Sequence, residues 1–369
     1  SPPKLFTVHV GTSANEFWIP SKRCQNVCHE ASNYFDPYSS STYKNLGQYN
    51  RITYADSSFA QGDLSKETFY FGDSPPSTNK GKKSLTIGYI YYLTITDQVF
   101  TLVHQDSGIE WDTDGFLGLS FGGALGYPTF LDNLKIQGKI SQKIFSVYLY
   151  DNDFVESYYD SSSIIFGGYD LASYAQSTEI KYIDILQNDG FWNLQISNIK
   201  ANNVPIPSRA YTACLDIGAF IIATPKVVFD GFYNQLSIAG SCWLDNGFIV
   251  CDCYNYAIGT YPSISFVFGW KYTFSLEPEH YFYKVGKSCT FLFYNYGDYW
   301  LIGQPFFRKY YTIFDAEYLQ IGFALAKNRK TTKFIDFLGT EANLNDEEKI
   351  KNIQNEAQAE EKVMKYKSQ

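Results

Sequence analysis

Short apolar or alternating runs recur along this chain. They fall at 4–10, 52–54, 85–95, 144–150, 164–166, 264–268 and 310–314, separated by Gly, Asp, Asn and Ser. Runs of this length, bounded by turn residues, predict strands. Two stretches carry helical spacing instead, 128–137 and 225–236, each opening on a Pro. The pattern predicts an all-β chain with few helices.

One run is interrupted in an unusual way. Leu215-Asp216-Ile217-Gly218-Ala219-Phe220 puts a carboxylate and a Gly inside an apolar stretch that continues to Pro225. Burying an unpaired charge costs on the order of several kcal/mol. Asp216 is therefore either exposed at a tight turn or held on a loop for acid/base work. A second stretch repeats the pattern in the other half of the chain: Val8-His9-Val10, then Gly11-Thr12-Ser13-Ala14, then Phe17-Trp18-Ile19-Pro20.

With these two stretches the chain resembles the pepsin-like aspartic proteases, which carry Asp-Thr-Gly-Ser/Thr once per lobe. The resemblance runs from about Leu5 to Ala326. Phe17-Trp18-Ile19-Pro20-Ser21 is similar to the stretch after the first catalytic loop, and Ile52-Thr53-Tyr54-Ala55-Asp56-Ser57-Ser58 to the start of the flap hairpin. Asp114-Gly115-Phe116-Leu117-Gly118-Leu119 and Ile144-Phe145-Ser146-Val147-Tyr148-Leu149 resemble first-lobe segments. Trp300-Leu301-Ile302-Gly303, Tyr310-Tyr311-Thr312-Ile313-Phe314-Asp315 and Ile321-Gly322-Phe323-Ala324 resemble the C-terminal end. The resemblance implies a bilobal fold with a cleft between two β-rich lobes, 1–169 and 170–326. It also implies that Tyr54 tips over the cleft and bonds to Trp18, with a peptide between the lobes.

The chemical motifs depart from the family. Anchored on Trp18 and Pro20, the first catalytic Asp falls on Gly11; a shifted anchoring would place it on Val10. Neither residue has a carboxylate, and Gly11 is the assignment kept. The second motif, Asp216-Ile217-Gly218-Ala219, keeps its Asp and loses its Thr. The family mechanism needs two carboxylates sharing a proton, one as general base on a water and one as general acid; the aspartic-protease dyad is the standing example. Ala14 and Ala219 replace the small hydroxyl residues, so the hydrogen bonds that hold an ionised carboxylate are expected to be missing. Ile217 is expected to leave the two loops unbraced. Gln304 stands where the family often has an acid. The chain reads as a protease-like protein without protease activity. The competing reading is an active hydrolase in which Glu16 or His9 replaces the missing Asp.

Composition narrows the partners. A net charge of −8 offers no basic surface for nucleic acid. No run of 18 or more apolar residues exists, so no transmembrane helix is expected. The opening Ser1-Pro2-Pro3-Lys4 would lie after an N-terminal strand in the family, so an upstream piece is expected to be cleaved or missing. There are 7 cysteines. Family pattern implies Cys24–Cys28 and Cys253–Cys289. Cys242 and Cys251 flank a turn and can form a third bridge, leaving Cys214 as a small buried thiol. Disulfides imply an oxidising compartment: secretory pathway, extracellular, or lysosomal or vacuolar lumen. Metal binding at Cys251-Asp252-Cys253 is the weaker reading, with no His close by in sequence. No metal or cofactor is expected.

Beyond Ala326 the resemblance stops. The charged extension 327–369 contains a helix signal at Asn345-Asp346-Glu347-Glu348. Ile350, Ile353, Ala357 and Met364 would share one face of that helix and contact a protein partner; the alternative is a solvated tail.

Overall fold

The computed structural model describes residues 4–24, 28–54, 58–71, 93–109, 113–123, 126–150, 162–186 and 190–327. Strands dominate, and they form an all-β, bilobal pepsin-like architecture. The first half builds a six-stranded sheet from β1 (Val8–Gly11), β2 (Phe17–Pro20), β3 (Lys44–Thr53), β4 (Phe59–Phe71), β5 (Leu93–Ser107) and β6 (Gly115–Gly118), in the order β1-β6-β2-β5-β4-β3. The long β4–β5 pair is bent by two register shifts, at Gln61/Gly62 and Glu67/Phe69. Its apolar residues, among them Leu64, Ile95, Phe100 and Leu102, pack with Phe17, Ile19 and Leu117 in the core.

The second half repeats one detail of the first. β1 runs parallel to β6, with Gly11 opposite Gly118. Thr212–Leu215 runs parallel to Trp300–Ile302, with Leu215 opposite Ile302. Each motif loop thus leaves the end of a strand held in parallel pairing. The remaining second-half strands complete a larger sheet around Asn193–Ala201 and a four-stranded sheet around Phe248–Asp252. A fourth sheet joins the halves. Ile144–Tyr148 and Ser163–Phe166 pair into one five-stranded sheet with Tyr310–Asp315, Gln320–Leu325 and Lys181–Asp184.

The two helical stretches fold as helices Phe130–Ile136 and Lys226–Ala239. Thr129 and Asp132 form a reciprocal capping box on the first. The second buries Val228, Phe229, Phe232 and Leu236, a 3.6-residue stripe. Gln304–Lys309 is a further short helix that the sequence pattern did not single out. Expected strand residues 85–92, and flap residues 55–57, lie outside the described residues. So does the extension with Ile350, Ile353, Ala357 and Met364. No helix among the described residues is long and apolar enough to cross a membrane.

Candidate functional site

The two motif loops meet. A Cβ built on Gly218 would lie 3.1 Å from the Val10 carbonyl oxygen and 3.2 Å from the Gly11 Cα, so only Gly admits this approach. A Cβ on Gly11 would lie 3.4 Å from Asp216 Oδ1. Gly11 and Asp216 therefore face one another, and Asp216 is the one carboxylate of this facing pair. A Cβ on Gly11 would also lie 2.9 Å from Phe116 Cζ. The Phe116 ring occupies the space next to the absent side chain.

Asp216 is 9% exposed and well held, which corrects the expectation drawn from Ala14 and Ala219. The Thr12 N–H donates to its Oδ1 at 2.9 Å, and so does the Gly218 N–H at 2.9 Å. The Ser13 hydroxyl donates to Oδ2. Ser13 supplies a hydroxyl from the neighbouring position, which a position-by-position reading of the motif overlooks. The bracing expectation is corrected too. Thr12 Oγ1 donates to the Leu215 carbonyl at 2.7 Å and accepts the Ile217 N–H at 3.2 Å. One threonine spans the loops, and Ile217 contributes its backbone. Gln304 joins the same loop: its N–H donates to the Ala219 carbonyl at 2.7 Å and its side-chain amide to the Ile217 carbonyl at 3.4 Å.

Trp18 is fully buried, and its Nε1 donates to the Tyr54 hydroxyl at 2.6 Å. Tyr54 packs edge-on against Phe116, linking this pair to the ring beside Gly11. Of the two rivals for the missing carboxylate, the structure brings only His9 to the site. Its ring stacks on Phe116, and its Nε2 lies 2.6 Å from the Gly218 Cβ position. Burial pushes its pKa below the usual imidazole value, against the opposing pull of the Asp216 charge and the Gly218 backbone. Glu16 instead accepts the Asn15 N–H at 3.1 Å and lines a cavity to which neither Gly11 nor Asp216 contributes.

A second constellation has the composition of a hydrolytic triad. Ser21 Oγ is 2.8 Å from His104 Nδ1, and His104 Nε2 is 2.8 Å from Asp63 Oδ2. Ser21 is 1% exposed, so no substrate carbonyl reaches it, and the chain of bonds is structural.

Disulfides join Cys24–Cys28, Cys242–Cys251 and Cys253–Cys289, with Cys214 outside these bridges on the strand leading to Asp216. Cys24, Cys28 and Asp106 have ligand-type atoms within 4.8 Å of one another. Both sulfurs are tied to each other, and Asp106 is taken by His29, at 2.7 Å to Nδ1 and 2.9 Å to the backbone N–H. No thiolate is on offer there.

The family model of eukaryotic aspartyl proteases matches residues 1–326. Pepsin A of Sus scrofa is 28% identical over 337 residues, covering 88% of this chain and 78% of that protein. Pepsin A of Rhinolophus ferrumequinum is 27% identical over 336 residues, with the same shares. Pepsin II-1 of Oryctolagus cuniculus is 27% identical over 339 residues, covering 88% of this chain and 79% of that protein. Two facing loops on parallel-paired strands, the hydrogen-bonded Trp18 and Tyr54, and a match over residues 1–326 lead to one assignment: the chain belongs to the eukaryotic aspartyl protease family.

Proposed function

We propose that this chain is a non-catalytic member of its family, a pseudoprotease that serves as a binding or structural subunit. The observation that carries the reading is Gly11 facing Asp216, with Phe116 in the adjoining space. One carboxylate cannot act both as base toward water and as acid toward a leaving amine in one turnover, and each such role contributes about 10²–10⁴-fold. Trp18 and Tyr54 keep a groove that can hold a peptide. The lobes divide at 169/170, and 327–369 is an extension that contacts a protein partner through Ile350, Ile353, Ala357 and Met364. Three disulfides support an oxidising lumen, secretory, lysosomal or vacuolar, or the extracellular space.

A second reading has one observation in its favour: His9 beside Asp216. It makes the chain a hydrolase with an imidazole–carboxylate pair. The assay that separates the two uses unfolded-protein substrates across acid to neutral pH, with the natural chain and Asp216→Asn. No cleavage by either protein supports the pseudoprotease. Cleavage that vanishes in Asp216→Asn overturns it, and further loss in His9→Phe then identifies the pair.

A further inference from the structure

The cavity lined by Glu16 is about 50 Å³. Phe17, Phe100 and Phe130 form its apolar wall, and Asn50 and Tyr127 stand on its polar side. The three Phe side chains are buried, at 6%, 1% and 2% exposure, so the wall is packed and fixed. Among the described residues, no Lys, Arg or His lines the cavity. The Glu16 carboxylate spends Oε2 on its neighbour's N–H, which leaves Oε1 as an acceptor. Asn50 donates one amide N–H to Thr101 Oγ1 at 3.0 Å and also carries a carbonyl oxygen that can accept. The Tyr127 hydroxyl accepts from Gln48 at 3.3 Å. The charged acceptor Glu16 and the Asn50 carbonyl oxygen are thus set against aromatic rings, while the Tyr127 hydroxyl, having accepted one bond, keeps its proton to donate.

Such a lining selects a cation that donates several hydrogen bonds and tolerates partial dehydration. One water needs about 10–15 Å³, so the space takes about four heavy atoms. A guanidinium is one carbon and three nitrogens, planar, weakly hydrated, and matched to a carboxylate edge and aromatic faces. A lysine ammonium is more strongly hydrated and gives up more on entering. The net charge of −8 also favours a basic partner.

We propose that this cavity is a binding site for the guanidinium of an arginine side chain on a peptide or protein partner, with Glu16 as the counter-ion. The site does not depend on whether Asp216 is catalytic.

The test uses N-acetyl-arginine amide titrated into the isotope-labelled chain, followed by backbone amide shifts. Citrulline amide, similar in shape and uncharged, is the matched control. We expect saturable shifts at Asn15–Phe17 and Asn50 with the arginine probe, and binding at least about tenfold weaker for citrulline and for Glu16→Gln, as loss of a charge-assisted hydrogen bond implies. Asn50→Asp adds a second carboxylate and should tighten the arginine probe, which keeps the test decisive if Glu16→Gln fails to fold. The proposal is overturned by equal shifts with citrulline, by unchanged binding in Glu16→Gln, by no tightening in Asn50→Asp, or by no saturable shift up to ~10 mM probe.

Discussion

A Cβ on Gly11 would stand 2.9 Å from Phe116 Cζ and 3.1 Å from its Cε2. The space that a side chain at Gly11 would need is therefore taken from the side by a ring that also stacks on His9 and packs against Tyr54. Gly11→Asp must push that ring away. Overpacking of this kind costs about 1–3 kcal/mol. Denaturant unfolding should show Gly11→Asp destabilised and Gly11→Asp/Phe116→Val partly recovered. Gly11→Asp as stable as the natural chain would mean that Phe116 yields freely. Peptidase assays on both variants should show that the single change does not restore cleavage.

Thr12 offers a sharper stability test. Its hydroxyl donates to Leu215 and accepts from Ile217 at a residue that is fully buried. Thr12→Val keeps the shape and strands a carbonyl and an N–H. The expected loss is about 2–6 kcal/mol, because each of the two buried groups left unpaired costs about 1–3 kcal/mol. Ser13→Ala removes one bond to Asp216 and should cost less. The reverse order in urea unfolding would mean that Thr12 does not join the loops.

The pH dependence should isolate His29. Its ring and the Asp106 carboxylate are each 2% exposed. Burial opposes its charge, but the hydrogen bond and charge of Asp106, with the Thr113 carbonyl and the Asp114 charge, raise its pKa above the usual value. A pKa raised on folding stabilises fully below the unfolded value, about 6.5, and that stabilisation fades as pH climbs through the folded value. His9 and His280 are shifted the other way, so they oppose folding as pH falls below about 6.5. The useful quantity is the difference between the natural chain and His29→Gln. It should be largest at acid pH, about 3 kcal/mol or more for a broken buried pair, and shrink as pH rises past the folded pKa. A difference that is flat in pH would mean that His29 is neutral in the fold.

The disulfides should rank by the loop that each closes. Cys253–Cys289 spans a separation of 36 residues and Cys242–Cys251 spans 9. Chain entropy then gives about 4 and about 2.5 kcal/mol. Paired Cys→Ser variants measured by reversible unfolding should keep that order. The opposite order would point to contacts of the sulfurs rather than to the loops.

Much of the architecture could be read from the pattern. The segments around Trp18, Gly118, Phe145 and Phe314 are dense apolar runs whose order and spacing are specific. That Gly11 stands where the family resemblance expects an Asp is a reading of the same spacing. The supports of Asp216 could not be read that way. The hydroxyl that reaches it belongs to Ser13, and the brace belongs to Thr12 and the Ile217 backbone. A motif compared position by position counts side chains lost; it does not see a donor that arrives from the next residue or from the main chain. The same applies to Phe116, whose meaning depends on which Cα its ring faces. His29 and Asp106 lie 77 residues apart, and no local signal joins them.

The five-stranded sheet shared by the two halves has a consequence for the order of events during synthesis. Ser146 on its Ile144–Tyr148 strand waits for Tyr311, 165 residues further on, to close the hydrogen bond between their hydroxyls at 2.7 Å. Until those late residues leave the ribosome, the strands at 144–166 present an unpaired edge. Non-local pairing of this kind is slow, and an open edge invites association with other chains. A nascent chain stalled before residue 310 should therefore need a chaperone to stay monomeric, however well its first sheet has formed.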